Sequence, residues 1–133
     1  MGVDRDSEQT LISTSNCTPT TKLPTVGTAY YVDGHVLDGH ILYLKLEHQF
    51  KPTEDVTFTG SEAVYTISNV KLGGSNFLWH DVQAYLNYST IRPMGLYNNG
   101  NNLEIRFRSS MPTFNKDSYT TLRLTFVTYV DLV

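Results

Sequence analysis

Leu122, Leu124, Phe126, Thr128, Val130 and Leu132 occupy every second position of the last stretch of the chain, with Thr121, Arg123, Thr125, Val127, Tyr129 and Asp131 between them. A period of two belongs to an extended strand with one face against a core, because successive strand side chains point to opposite sides. A helix would scatter the same apolar residues around its circumference. The same rhythm governs Ile41 to Phe50, where Leu42, Leu44, Leu46, His48 and Phe50 oppose Tyr43, Lys45, Glu47 and Gln49. It returns in Leu103, Ile105 and Phe107, which alternate with Glu104, Arg106 and Arg108. Three such segments commit the chain to β structure.

Turn chemistry divides the rest. Thr28 to Val32 reads as a strand, and Asp33-Gly34 and Asp38-Gly39 are dipeptides that accept positive φ, so a hairpin into the Ile41 run is expected. Val56 to Thr59 is a short strand after Pro52. In Glu62 to Leu72, Ala63, Tyr65 and Ile67 alternate with polar neighbours, but Val70 and Leu72 are out of phase, which predicts a bulge near Ser68-Asn69. Phe77 to Tyr88 reads as one strand, with Trp79, Asp81, Gln83 and Tyr85 opposite Leu78, His80, Val82, Ala84 and Leu86. Asn98 to Asn102 is a turn, since Asn and Gly tolerate left-handed backbone. Ser109 to Asp117, with Pro112 inside it, is a loop.

Seven or eight short strands with regular turn signals and no convincing helix predict an all-β fold, an antiparallel β-sandwich, with a small β-barrel as the alternative. Nine Tyr, six Phe and one Trp suit pleated, half-buried surfaces. With 133 residues, one core is expected, because independent cores usually need roughly 100 residues each. That domain is assigned to residues 28–133. Residues 1–27, crowded with Ser and Thr from Thr10 to Thr25 and holding Pro19 and Pro24, bury too little to order themselves and are expected to form a flexible or extended N-terminal arm, in which Leu11-Ile12 could add an edge strand.

Charge and cysteine content narrow the function. A net charge of −3 offers no field for nucleic acid or anionic membrane, and no apolar run is long enough to span a bilayer or form a leader. One cysteine, Cys17, allows no internal disulfide and suggests folding in a reducing cytosol. Cys17 lies in the polar arm beside no cation that would activate it, so it reads as an inert thiol. No Gly-x-Ser-x-Gly elbow or phosphate-binding Gly-x-x-x-x-Gly-Lys loop occurs. His35 and His40, with Asp33 and Asp38, lack the spacing of a metal site and fit turn chemistry better. His48, on an apolar face, reads as a hydrogen-bonded core histidine. His80 and Asp81 point to opposite sides of a strand and make no dyad. No catalytic residue, metal or cofactor is expected.

A binding surface is easier to assemble. Trp79 and Tyr85 share a strand face with Asp81, and Tyr97 leads the Asn-rich turn. Aromatic faces with carboxylates and amides nearby hold sugar rings by stacking and hydrogen bonding, so Trp79, Asp81, Tyr85 and Tyr97 form the candidate ligand site; the competing reading puts Trp79 in the core. Arg106, Arg108 and Arg123 would line one outward sheet face and pair with Glu104 or Asp131.

Arg92-Pro93-Met94-Gly95-Leu96-Tyr97, the Asn-Gly turn after it and Leu103-Glu104-Ile105-Arg106-Phe107 resemble the β domains of tail-tip, baseplate and receptor-binding proteins from siphophages of Gram-positive hosts. The resemblance extends over about residues 28 to 133, in texture more than in motif. It implies a non-enzymatic virion protein of the tail or baseplate, made in the host cytoplasm and commonly oligomeric. Such a protein either contacts other virion proteins as a structural piece or adsorbs to host cell-wall saccharide. The residue reading supplies the alternative of a stand-alone carbohydrate-binding module. The arm would serve attachment by adding a strand to a neighbour's edge.

Overall fold

The computed structural model describes residues 8–73, 76–77, 81–93 and 95–129. Every regular element among them is a strand: β1 (Glu8–Ser13), β2 (Cys17–Pro19), β3 (Thr25–Leu37), β4 (Ile41–Pro52), β5 (Glu62–Ile67), β6 (Asn76–Phe77), β7 (Asp81–Leu86), β8 (Ser89–Thr90), β9 (Gly95–Asn99), β10 (Asn102–Phe107) and β11 (Thr120–Tyr129). They form two open antiparallel sheets, one in the order β1-β3-β4-β11-β7-β8 and the other β2-β5-β10-β9-β6. This is the expected sandwich, and neither sheet closes into a barrel.

The two strongest alternations lie side by side at its centre. β11 pairs with β4 from Thr120 opposite Phe50 to Tyr129 opposite Ile41. In that register Leu122, Leu124 and Phe126 fall beside His48, Leu46 and Leu44 on the inner face, and all are buried. Across the gap, Leu103, Ile105 and Phe107 of β10 and Val64, Tyr65 and Ile67 of β5 complete the core. Burying a side chain of this size contributes about 1.5–3 kcal/mol, so these inner faces hold the sheets together.

Of the two Asp-Gly dipeptides, only the second turns the chain. Asp38 and Gly39 both have positive φ, and the His40 amide donates to the Leu37 carbonyl at 3.1 Å, making the tight hairpin between β3 and β4. Asp33-Gly34 instead lies inside β3. Gly34 is needed there because Ile12 of β1 sits directly opposite, and a Cβ at position 34 would lie 2.6 Å from the Ile12 Cβ.

The boundary expected at residue 28 falls within β3, and residues 8 to 27 are structural. β1 forms one edge of the six-stranded sheet and β2 one edge of the five-stranded sheet, with Ile12, Cys17 and Leu23 buried in the core. Their polar neighbours satisfy backbone groups where the chain crosses between sheets. The Asn16 side chain accepts from the Ser13 amide and donates to the carbonyls of Leu11 and Ser68. Thr14 Oγ1 accepts from the Val32 amide, and Thr20 Oγ1 donates to the Ala63 carbonyl. The Ser- and Thr-rich stretch that suggested a solvated arm thus provides, with Asn16, hydrogen bonds to backbone groups near and far in sequence.

Three smaller expectations change. Val56 to Thr59 forms no strand but one bridge, from Val56 to Phe114. Val70 and Leu72 return to the core after a turn with Asn69 at φ 61, while the irregularity in β5 comes earlier, where Val64 and Tyr65 are consecutive buried residues opposite the Ile105-Arg106 step. The single strand expected over Phe77 to Tyr88 is divided: β6 pairs with β9 in one sheet and β7 with β11 in the other. Alternation reports which face is buried, not which sheet a strand joins.

Candidate functional site

The nine tyrosines sort into three environments. Tyr30 and Tyr65 are in the interior. Tyr97 is half-buried on the outer face of the five-stranded sheet. The other six, Tyr31, Tyr43, Tyr85, Tyr88, Tyr119 and Tyr129, are exposed on the outer face of the six-stranded sheet or at its margin. Parity places four of them, since Tyr31, Tyr43, Tyr85 and Tyr129 each alternate with buried residues of β3, β4, β7 and β11.

One row of this face crosses five strands: Tyr31 lies opposite Glu47, Glu47 opposite Arg123, Arg123 opposite Tyr85, and Tyr85 opposite Thr90. Next to it, Asn87, Tyr88, Tyr119, Thr121 and Arg123 line a surface cleft of about 380 Å³. That volume lies within the range that small ligands occupy. The walls are fixed. Asn87 has φ 54, its amide donates to the Thr121 carbonyl at 2.7 Å, and its Oδ1 accepts from the Thr121 amide at 2.9 Å. These bonds pin the β7–β8 turn to β11, and Tyr88 in that turn is fully exposed. The Tyr119 hydroxyl donates to Gln49 Oε1 at 2.8 Å, fixing the opposite wall. Holding the turn backbone and the Tyr119 ring before a ligand arrives reduces the entropic cost of binding.

The other outer face is closed on itself. The Arg106 guanidinium lies 4.7 Å from the centre of the Tyr97 ring and donates to Glu104, whose second carboxylate oxygen accepts from Asn99. Lys22 pairs with Glu62 at 3.1 Å. A sugar stacking on Tyr97 would have to displace its cation.

Of the four candidate ligand residues, Tyr85 and Tyr97 lie on opposite faces. Tyr85 is on the tyrosine face, beside Arg123. Tyr97 is on the opposite side of the sandwich. Asp81, in β7, pairs through its backbone with Val127 of β11, and its side chain lies outside the described residues, as does Trp79. Arg106 and Arg123, expected on one face, are on different sheets; Arg106 does pair with Glu104, and Asp131 lies outside the described residues. Sequence reading missed Asn87, Tyr88, Tyr119 and Thr121. A signal existed for two of them, because Tyr119 and Thr121 share the parity of Arg123 in the last alternation.

Between the sheets lies a polar cluster. His48 Nδ1 is 2.8 Å from the Tyr65 hydroxyl, and the Tyr30 hydroxyl donates to the Cys17 carbonyl at 2.7 Å and to its Sγ at 3.3 Å. Tyr30 and His48 belong to one sheet, Cys17 and Tyr65 to the other. Burial pushes the Cys17 thiol up to about 11 and lowers His48 to about 4. It raises both tyrosine hydroxyls as well. The thiol is thus a poor nucleophile, and the imidazole is neutral at physiological pH. Among the described residues, no three of His, Cys, Asp and Glu come together as metal ligands.

No family model, curated protein or solved structure matches the chain.

Proposed function

We propose that this chain is a binding module that holds saccharide on the outer face of its six-stranded sheet, and that it serves without catalysis as a host-adsorbing component of a virion tail or baseplate. The carrying observation is the asymmetry of the two outer faces: six tyrosines and Arg123 are presented on one, whereas Tyr97 and Arg106 satisfy each other on the other. Exposed tyrosine offers a large apolar ring with a polar tip at low entropic cost, a surface suited to stacking against sugar rings. Asn87 and Thr121 add polar edges in the same cleft. The virion setting is supported by the resemblance around Arg92 to Tyr97 and Leu103 to Phe107 described above.

The binding test compares Tyr88→Ala and Tyr119→Ala with Tyr97→Ala for retention on polysaccharide purified from Gram-positive cell walls. The first two should each weaken retention about tenfold, in keeping with the loss of an aromatic contact of about 1 kcal/mol or more. Equal loss in all three, or none, would contradict the assignment. Antibody labelling of purified virions tests the setting. A stand-alone carbohydrate-binding module would use the same cleft but be absent from those particles.

A further inference from the structure

Resting on the saccharide reading of the tyrosine cleft, we infer that its preferred ligand is an acidic saccharide, a sugar ring bearing a carboxylate or phosphate that Arg123 engages. Arg123 is exposed and opens into the cleft between Tyr88 and Tyr119. It makes no ion pair or hydrogen bond with another described residue. Glu47 lies across from it on β4, but the Glu47 carboxylate is 3.5 Å from Lys45 Nζ. On the same face, Asp33 and His35 are 3.4 Å apart. Among the described residues, Glu47 is thus paired with Lys45, and the guanidinium at the cleft has no carboxylate within ion-pair distance.

A guanidinium presents a planar fork of donors that matches two oxygens of a carboxylate or phosphate. The same cleft is lined by Tyr88, Tyr119, Asn87 and Thr121, which suits a sugar ring carrying the anionic group better than a bare ion. A second cleft, of about 430 Å³, continues along the same segment, lined by Ser89, Thr90 and Arg92 together with Ile91, Ser110 and Pro112. Arg92 also makes no ion pair with another described residue. Residues 87 to 92 therefore contribute to two clefts, each with an arginine in its lining. The protein's net charge of −3 provides no general attraction for a polyanion, so such binding would require local recognition.

Affinity gel electrophoresis of the full chain tests this with three embedded polymers: polygalacturonate for carboxylate, phosphomannan for phosphate and unmodified mannan as the neutral control. At least one acidic polymer should retard the protein at a tenfold lower concentration than mannan, and the acidic polymer that does so identifies the group. Arg123→Gln should abolish that advantage, while Arg108→Gln, exposed elsewhere, should retain it. Tyr88→Ala should weaken retardation by every polymer that binds. Equal retardation by neutral and acidic polymers, or no change with Arg123→Gln, would overturn the acidic preference, and a Tyr88 effect would then leave the saccharide reading intact. Failure of all three polymers to retard the unaltered chain would overturn both.

Discussion

His48 Nδ1 and the Tyr65 hydroxyl meet at 2.8 Å across the interior, joining β4 of the six-stranded sheet to β5 of the five-stranded sheet. His48 is 2% exposed and rests edge-on to Tyr30 with ring centres 4.8 Å apart. Breaking such a bond by removing one partner leaves a buried polar atom unsatisfied, at a cost of about 1–3 kcal/mol. Tyr65→Phe should lower stability by that amount in chemical denaturation, with little change in the slope against denaturant.

The same histidine gives the fold a pH dependence. Burial lowers its pKa from 6.5 to about 4, so the unfolded chain binds the extra proton first as pH falls. Its contribution is complete above about pH 6.5, declines between 6.5 and 4, and levels off below, amounting to roughly 3 kcal/mol in all. His48→Asn keeps a polar group near the Tyr65 hydroxyl but cannot titrate. The stability difference between the two proteins should therefore vary with pH within this window and be flat on either side.

Gly34 and Ile12 lie directly opposite each other where β1 pairs with β3. Gly34→Ala should cost about 1–3 kcal/mol as the added methyl meets Ile12. Ile12→Ala removes two of the three atoms that crowd that methyl. The double variant should then be less destabilised than the sum of its parts, measured by thermal unfolding.

Cys17 should resist modification in the folded protein, being fully buried with its thiol raised to about 11. A thiol reagent such as Ellman's should react at neutral pH only as fast as the protein unfolds, and at the free-thiol rate in denaturant.

The long alternations in β4 and β11 were legible because each strand buries one face completely, and the Asn-Gly turn was legible because Gly100 adopts φ 60. β1 was legible only through Leu11-Ile12, which do form part of an edge strand, and β2 was hidden because Asn16, Thr14 and Thr20 spend their polar groups on backbone partners remote in sequence. Gly34 looked like a turn residue because composition cannot distinguish positive φ from close approach. Parity placed the Tyr85 side chain on an exposed outer face, as the structure has it, whereas the contact of Tyr97 with Arg106 on the neighbouring strand could not be read from the alternation of either strand. The cleft itself combines the turn after β7 with the start of β11, a juxtaposition that exists only once the sheet has formed.

The central claim is that saccharide binds the tyrosine face of the six-stranded sheet, and amide chemical-shift mapping tests it most directly. On titration with trigalacturonate and with mannotriose, perturbations should concentrate at Asn87, Tyr88 and Tyr119 to Arg123 for at least one ligand, leaving Tyr97 to Arg106 unmoved. Perturbations centred on Tyr97 and Arg106, or absent with both ligands at millimolar concentration, would contradict the account.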